Sequence, residues 1–185
     1  NITHENISNG VRKLSDSINR FKQIKNIYKV IPECQTNFVF AKKNPKIIKD
    51  VLGISGRLVK SGKEVVTAGE IVYGGSQHVG TAVIQVNKKF PEVRSGINIK
   101  YDPKIIAKAK KSKFTVLSYD RSKEPKKSKQ KENSSISWGI SNCINAKSPD
   151  IIYHKGDIGK ESMILIFGKN PGEIIQKVSK LTSFH

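Results

Sequence analysis

Apolar residues recur along this chain with two different periods. Ile7, Val11, Leu14, Ile18, Phe21, Ile24 and Tyr28 are spaced by threes and fours, which predicts one stripe on a long helix that Pro32 ends. Asn37 to Ala41 is a short apolar run and predicts a strand. Pro45 opens a helical turn over Lys46 to Val51. The runs Gly56–Lys60 and Lys63–Val66 flank Ser61-Gly62 as a hairpin does, and Glu70 to Tyr73 is again strand-like. Past Gly74-Gly75-Ser76 the period lengthens, and Val79, Ala82, Val83, Val86 and Phe90 fit a helix. Ile97 to Tyr101 predicts a strand. Pro103 to Lys111 predicts a basic helix with Ile105, Ile106 and Ala109 inward, and Phe114 to Tyr119 a strand. Asp120 to Asn133 is polar and interrupted by Pro125, so it reads as an exposed loop with some helix. Ser134 to Ala146 then predicts a helix. Asp150–Tyr153 and Met163–Phe167 predict strands around a glycine-rich loop, and Pro171 opens the last helix, with Ile174, Ile175 and Val178 inward. Strands and helices alternate through the second half, the pattern of a layered α/β domain.

Composition narrows this picture. At 185 residues, 36% of them apolar besides 14 glycines, the chain suffices for one domain with its own core. No apolar run reaches the ~20 residues of a membrane span. The polar start, Asn1 to Arg12, has no signal-peptide core. Because it begins with Asn, the chain reads as a piece of a longer or processed protein. Cys34 and Cys143 have no CxxC partner and are expected as free buried thiols in a reducing cytoplasm.

Charge is the loudest compositional feature: 34 Lys or Arg against 15 Asp or Glu, a net +19. Anionic partners fit, whether nucleic acid, phosphorylated metabolites or membrane. The densest stretch runs from Lys104 to Lys131. Only Arg12, Arg20, Arg57, Arg94 and Arg121 are arginines, whereas base readers and phosphate clamps prefer the arginine fork. A solvated lysine surface is therefore expected over a nucleic-acid face. Aromatic content of 7%, without basic interleaving, argues against an RNA-binding sheet.

Three short constellations and one arginine are candidates for chemistry. Gly74-Gly75-Ser76-Gln77-His78 brings backbone close to a ligand at a helix start, with Ser76 as cap and the first amides as an anion site; on pattern alone, a tight turn with a capped helix and a surface His is slightly favoured. The loop Tyr153-His154-Lys155-Gly156-Asp157-Ile158-Gly159-Lys160-Glu161 offers amides and lysines to a phosphate, or is a polar hairpin loop. It is not a Walker A loop, since two residues rather than four separate its glycines and Glu161 follows Lys160. Ser118-Tyr119-Asp120-Arg121 lies at a strand's C-terminal end, where α/β sheets place ligands. There Asp120 can hold Mg²⁺ and Arg121 a phosphate, or the two are a loop-edge ion pair. Arg57 alone carries no signal. His4, His78, His154 and His185 have no metal-ligand spacing. No GxSxG or HExxH occurs, and Trp138 is expected in the core.

Taken in order, these strings resemble the ThiN-type thiamine-phosphate synthase domain, which often follows a hydroxymethylpyrimidine kinase. The resemblance rests on Ile31-Pro32-Glu33 with Asn37-Phe38-Val39; Gly56-Arg57; Gly74-Gly75-Ser76 with His78-Val79; Asn98-Ile99-Lys100-Tyr101; Ser118-Tyr119-Asp120-Arg121 with Glu124-Pro125; Ser137-Trp138-Gly139; and Pro149 to Tyr153 running into Gly156, Gly159-Lys160-Glu161 and Met163-Ile164. It covers roughly residues 8 to 181. It implies a three-layer α/β/α fold with a mixed sheet, like class II aldolases. Residues 1–30 are then an N-terminal helix, packed on the domain or linking it to an upstream kinase domain, and 31–185 the synthase domain.

The implied reaction joins hydroxymethylpyrimidine diphosphate and thiazole phosphate into thiamine phosphate and pyrophosphate, with Mg²⁺ expected. The family's key Arg and His map onto Arg57 and His78. Gly74, Gly75, Ser76, Asn98, Asp120, Arg121, Lys155, Gly156, Gly159 and Lys160 are the expected substrate and phosphate contacts. Gln77 and Lys100 stand where many members carry Arg. A homodimer and a cytoplasmic setting are expected, without membrane or nucleic acid. The rival reading is an inactive ligand-sensing domain of a thiamine-responsive regulator; retention of Arg57 and His78 favours the enzyme.

Overall fold

The computed structural model describes residues 4–129 and 133–183. Lys131 and His185 lie outside the described residues. Helix α1 (His4–Gln23) gives way to a 3₁₀ turn (Ile27–Val30), so the predicted long helix stops earlier than Pro32. The break is at Asn26, whose φ of 58° leaves the helical region. Strands β1 (Phe38–Ala41) and β2 (Val51–Ile54) follow, with a 3₁₀ turn (Ile48–Asp50) between them. The sequence pattern does not predict β2 and makes its first residue helical; four residues interrupted by Gly53 give too little pattern to see.

The hairpin β3 (Leu58–Ser61) and β4 (Glu64–Thr67) is present as expected, then β5 (Ile71–Tyr73), α2 (His78–Asn87) and β6 (Ser95–Lys100). Helix α3 (Pro103–Lys111) starts where Asp102 accepts a hydrogen bond from the Lys104 amide. β7 (Val116–Ser118), a 3₁₀ turn (Arg121–Lys123), the short helix α4 (Lys126–Lys129), α5 (Ser134–Cys143), β8 (Ile151–His154) and β9 (Met163–Gly168) come next. Helix α6 (Pro171–Leu181) has Pro171 in its first turn and is capped by Asn170, which accepts from the Glu173 amide.

Seven strands form one mixed sheet in the order β5-β2-β1-β6-β9-β8-β7. Only β7 and β8 pair in parallel; every other neighbour is antiparallel. Both faces are covered, so β1, β2 and β9 are buried along their whole length. Alternate residues sort onto the two faces. Phe38, Phe40, Ile97, Ile99, Ile164 and Ile166 pack with Leu14, Ile18 and Phe21 of α1, Ile105 of α3 and Ile174 and Val178 of α6. Val39, Ala41, Leu165 and Phe167 pack with Val79 and Val83 of α2 and Ile136 and Ile140 of α5. The result is the expected three-layer α/β/α arrangement. Leu14 and Phe21 are fully buried, so α1 is part of the domain's core. Each such side chain contributes about 1.5–3 kcal/mol. Among the described residues no helix is long and apolar enough to cross a membrane.

Candidate active site

One end of the sheet, where β1 and β9 begin and β2, β6 and β8 end, is held open by polar side chains. Asn37 precedes β1 and is 4% exposed. Its Nδ2 donates to the carbonyls of Ile54 (2.9 Å) and Gly75 (3.4 Å), and its Oδ1 accepts from the Ile54 amide (3.0 Å). Asn98 Oδ1 accepts from the Asn37 amide (2.7 Å), and its Nδ2 donates to the Gln35 carbonyl (2.9 Å). Asn98 thus lines the pocket, but its amide ties backbone together.

The glycine pair is required by close approach. A Cβ on Gly75 would lie 2.4 Å from the Gly53 carbonyl oxygen, and Gly74 has φ of +80°. The chain then turns over β2 into α2, with His78 as the first helical residue. Two expectations change here. Gln77, not Ser76, occupies the cap position, and no side chain caps it. The Gly74 and Gly75 amides are committed to the Val51 and Val72 carbonyls, so the anion-facing amides begin at Ser76.

Arg57 sits just before β3 with φ of 67°, a left-handed conformation costly for a residue with a side chain. Its Nη1 donates to the Cys34 carbonyl at 2.7 Å. The Glu33 and Cys34 amides in turn donate to the Glu161 carboxylate at 2.9 and 3.1 Å. Glu161 thereby holds the 33–35 segment on which Arg57 leans. Arg121 enters from beyond β7, 3.8 Å from the buried Glu124 carboxylate.

These groups surround a pocket of about 470 Å³, lined among others by Arg57, Ser76, His78, Arg121, His154 and Glu161. Both histidines are held neutral. His78 faces the open pocket, yet crowding by its walls, then Arg121 and Arg57, pull its pKa to about 4. His154 is 3% exposed; burial first, then Arg121 and His78, take it to about 3. The Gly156 amide donates to His154 Nδ1 at 3.1 Å, which puts the proton of the neutral ring on Nε2.

Other expected contacts are placed elsewhere. In the β8–β9 loop the Gly156 amide serves His154, the Asp157 and Lys160 amides pair across the turn, and the Ile158 amide bonds Asp157. This loop, with Gly156 and Gly159 at positive φ, therefore does not form an amide cradle. Lys155 and Lys160 are exposed and outside the pocket lining. Asp120 is exposed, and its Oδ1 accepts from the Ser122 amide (2.9 Å) and hydroxyl (2.6 Å). Cys34 is exposed at the pocket rather than buried, with partial burial and Glu161 raising its thiol to about 11. Trp138 is half-buried, edge-on to Tyr119.

The structure adds His154, Glu161, Asn37 and Cys34 to the pocket residues expected from sequence. Asn37 and His154 carry a local signal: each is a polar residue flanking an apolar strand. Glu161 carries none, because its partners lie 127 and 128 residues away.

The family model "Thiamine-phosphate synthase ThiN" matches residues 13–180. A protein of that name from Methanothermobacter thermautotrophicus is 36% identical over 154 residues, 82% of this chain and 81% of that protein. A "bifunctional thiamine biosynthesis protein ThiDN" from Methanocaldococcus jannaschii is 34% identical over the whole chain, which spans 43% of that protein. Among solved structures, the C-terminal domain of a phosphomethylpyrimidine kinase superposes with a TM-score of 0.89 at 41% identity, covering 95% of this chain and 99% of the other. An aldolase II superfamily protein from Pseudomonas syringae shares the fold at a TM-score of 0.56 and 11% identity, over 98% of this chain and 76% of the other.

Proposed function

The chain belongs to the ThiN family of thiamine-phosphate synthases, and on that premise we propose that the pocket between Arg57, His78, Arg121 and His154 is its active site. The activity is thiamine-phosphate synthesis, a transferase reaction of thiamine biosynthesis. The thiazole-phosphate nitrogen attacks the pyrimidine methylene carbon of hydroxymethylpyrimidine diphosphate. Its lone pair becomes the new C–N bond, and the C–O bonding pair leaves with pyrophosphate. Negative charge grows on the departing oxygen while the thiazole nitrogen becomes cationic.

The observation that supports the site assignment is the convergence of two guanidiniums and two neutral imidazoles from four separate segments on one pocket. In this reading Arg57 and Arg121 face the pyrophosphate oxygens, joined by amides from Ser76 onward at the start of α2. His78 and His154 act as neutral hydrogen-bond donors rather than cations. Asn37, Asn98 and Glu161 hold the backbone that carries them. Mg²⁺ has no protein cage among the described residues, where no three His, Cys, Asp or Glu side chains come together and Asp120 is engaged by Ser122. The pocket residues do not fit a protein-held ion; Mg²⁺, if it takes part, would come with the diphosphate substrate and neutralise part of its charge. A fused upstream kinase domain, which the solved C-terminal domain of a phosphomethylpyrimidine kinase and the bifunctional relative support, and a cytoplasmic setting belong to the same reading.

The test is turnover. Mixing the two substrates with Mg²⁺ is expected to yield thiamine phosphate, and Arg57→Ala to lower kcat by about 10²–10³-fold, as for removal of one preorganised donor. Product from the Arg57→Ala and His78→Ala variants at the unsubstituted rate would show that the pocket is misassigned.

A further inference from the structure

At the opposite end of the sheet lies a second pocket, of about 480 Å³, close in volume to the first. It forms where β1 ends, β5 ends and β6 begins, under the N-terminal half of α1. Lys13 comes from α1, Lys42 and Lys43 from the segment after β1, and Arg94 from just before β6. Among the described residues no carboxylate lines it. Asp50, outside the lining, is acidified by the Lys46 and Ile47 amides and by Lys42, and its Oδ2 accepts from both amides at 2.9 and 3.1 Å.

None of the four cations forms an ion pair among the described residues. Arg94 is half-buried and anchored at Nε, which donates to the Ala41 carbonyl at 3.0 Å. Its guanidinium lies 4.9 Å from the Phe40 ring centre, and Lys42 Nζ lies 4.5 Å from that of Tyr73. Arg94 and Lys42 are thus held on aromatic walls, while the terminal nitrogens of Arg94 have no acceptor among the described residues. Gly10 lets α1 close over this end: a Cβ there would already meet Leu52 at 3.3 Å.

Unpaired cations cost self-repulsion when gathered. Gathered from three segments around a concave, partly aromatic floor, they make a receptor for a small anion with a compact apolar body. We propose that this pocket is a second binding site, separate from the synthase pocket, for a small phosphorylated compound whose phosphate sits among Lys13, Lys43 and Arg94.

The site can be tested on the intact chain by titrating ¹⁵N-labelled protein with AMP, inorganic pyrophosphate and adenosine while following amide shifts. Saturable shifts at Gly10, Lys43, Tyr73 and Arg94 are expected with the two phosphate compounds and not with adenosine. The tighter of the two identifies an organic or an inorganic source. Lys13→Glu with Lys43→Glu changes two exposed side chains and is expected to weaken binding at these amides at least tenfold while leaving synthase turnover unchanged. Arg57→Ala is expected to leave them responsive. Shifts confined to Ser76, His78 and their neighbours, an adenosine response equal to that of AMP, or unweakened binding in the double variant would overturn the proposal.

Discussion

His154 shows how strongly one position is governed by its surroundings. An imidazole titrates near 6.5 in the unfolded chain, but at this buried site burial lowers it to about 3. Between those values the unfolded chain takes up a proton that the folded chain refuses. Stability is therefore complete above about pH 6.5 and is lost as pH falls toward 3. Urea unfolding at pH 7 and pH 4.5 is expected to show His154→Gln losing about 2 kcal/mol less than the unsubstituted chain over that interval.

Arg57 allows function and fold to be separated. Its φ of 67° suits glycine, so Arg57→Gly is expected to be more stable than Arg57→Ala by about 1 kcal/mol in denaturant melts, with kcat lowered alike in both.

The turn between β5 and α2 depends on Gly74 at positive φ and on Gly75 facing Gly53. Because a Cβ added to Gly75 would come within 2.4 Å of the Gly53 carbonyl oxygen, Gly75→Ala is expected to cost about 1–3 kcal/mol and to lower kcat, since displacing the turn also displaces His78. Thermal melts and turnover measured together check both. Helix α3 and its proline start are legible in the sequence because its caps and apolar spacing are local. So are the β3–β4 hairpin and the apolar β9. β2 is not: its identity comes from β1 on one side and β5 on the other. Likewise Gly156-Asp157-Ile158-Gly159 reads as a phosphate cradle until the loop's amides are seen closing on one another.

Across the whole molecule, the sheet's two faces make α1 as much a part of the core as α6. Phe21→Ala is expected to cost about 3–5 kcal/mol in denaturant melts, a loss that a detached linker helix would not show. The net +19 predicts that kcat/KM for the two anionic substrates falls several-fold as salt shortens the Debye length from about 10 Å to about 3 Å. Residue type and local spacing are enough for the helix stripes, the apolar strands and the family strings carrying Arg57 and His78, since each depends on neighbours a few positions away. Which strands adjoin, and that His154 and Glu161 share a pocket with Arg57, depend on contacts between residues tens to more than a hundred positions apart. The gathering of Lys13, Lys42 and Arg94 at the far end of the sheet is likewise a product of the tertiary structure. Long-range packing burdens a group with desolvation or relieves it with a partner, and a linear pattern contains neither.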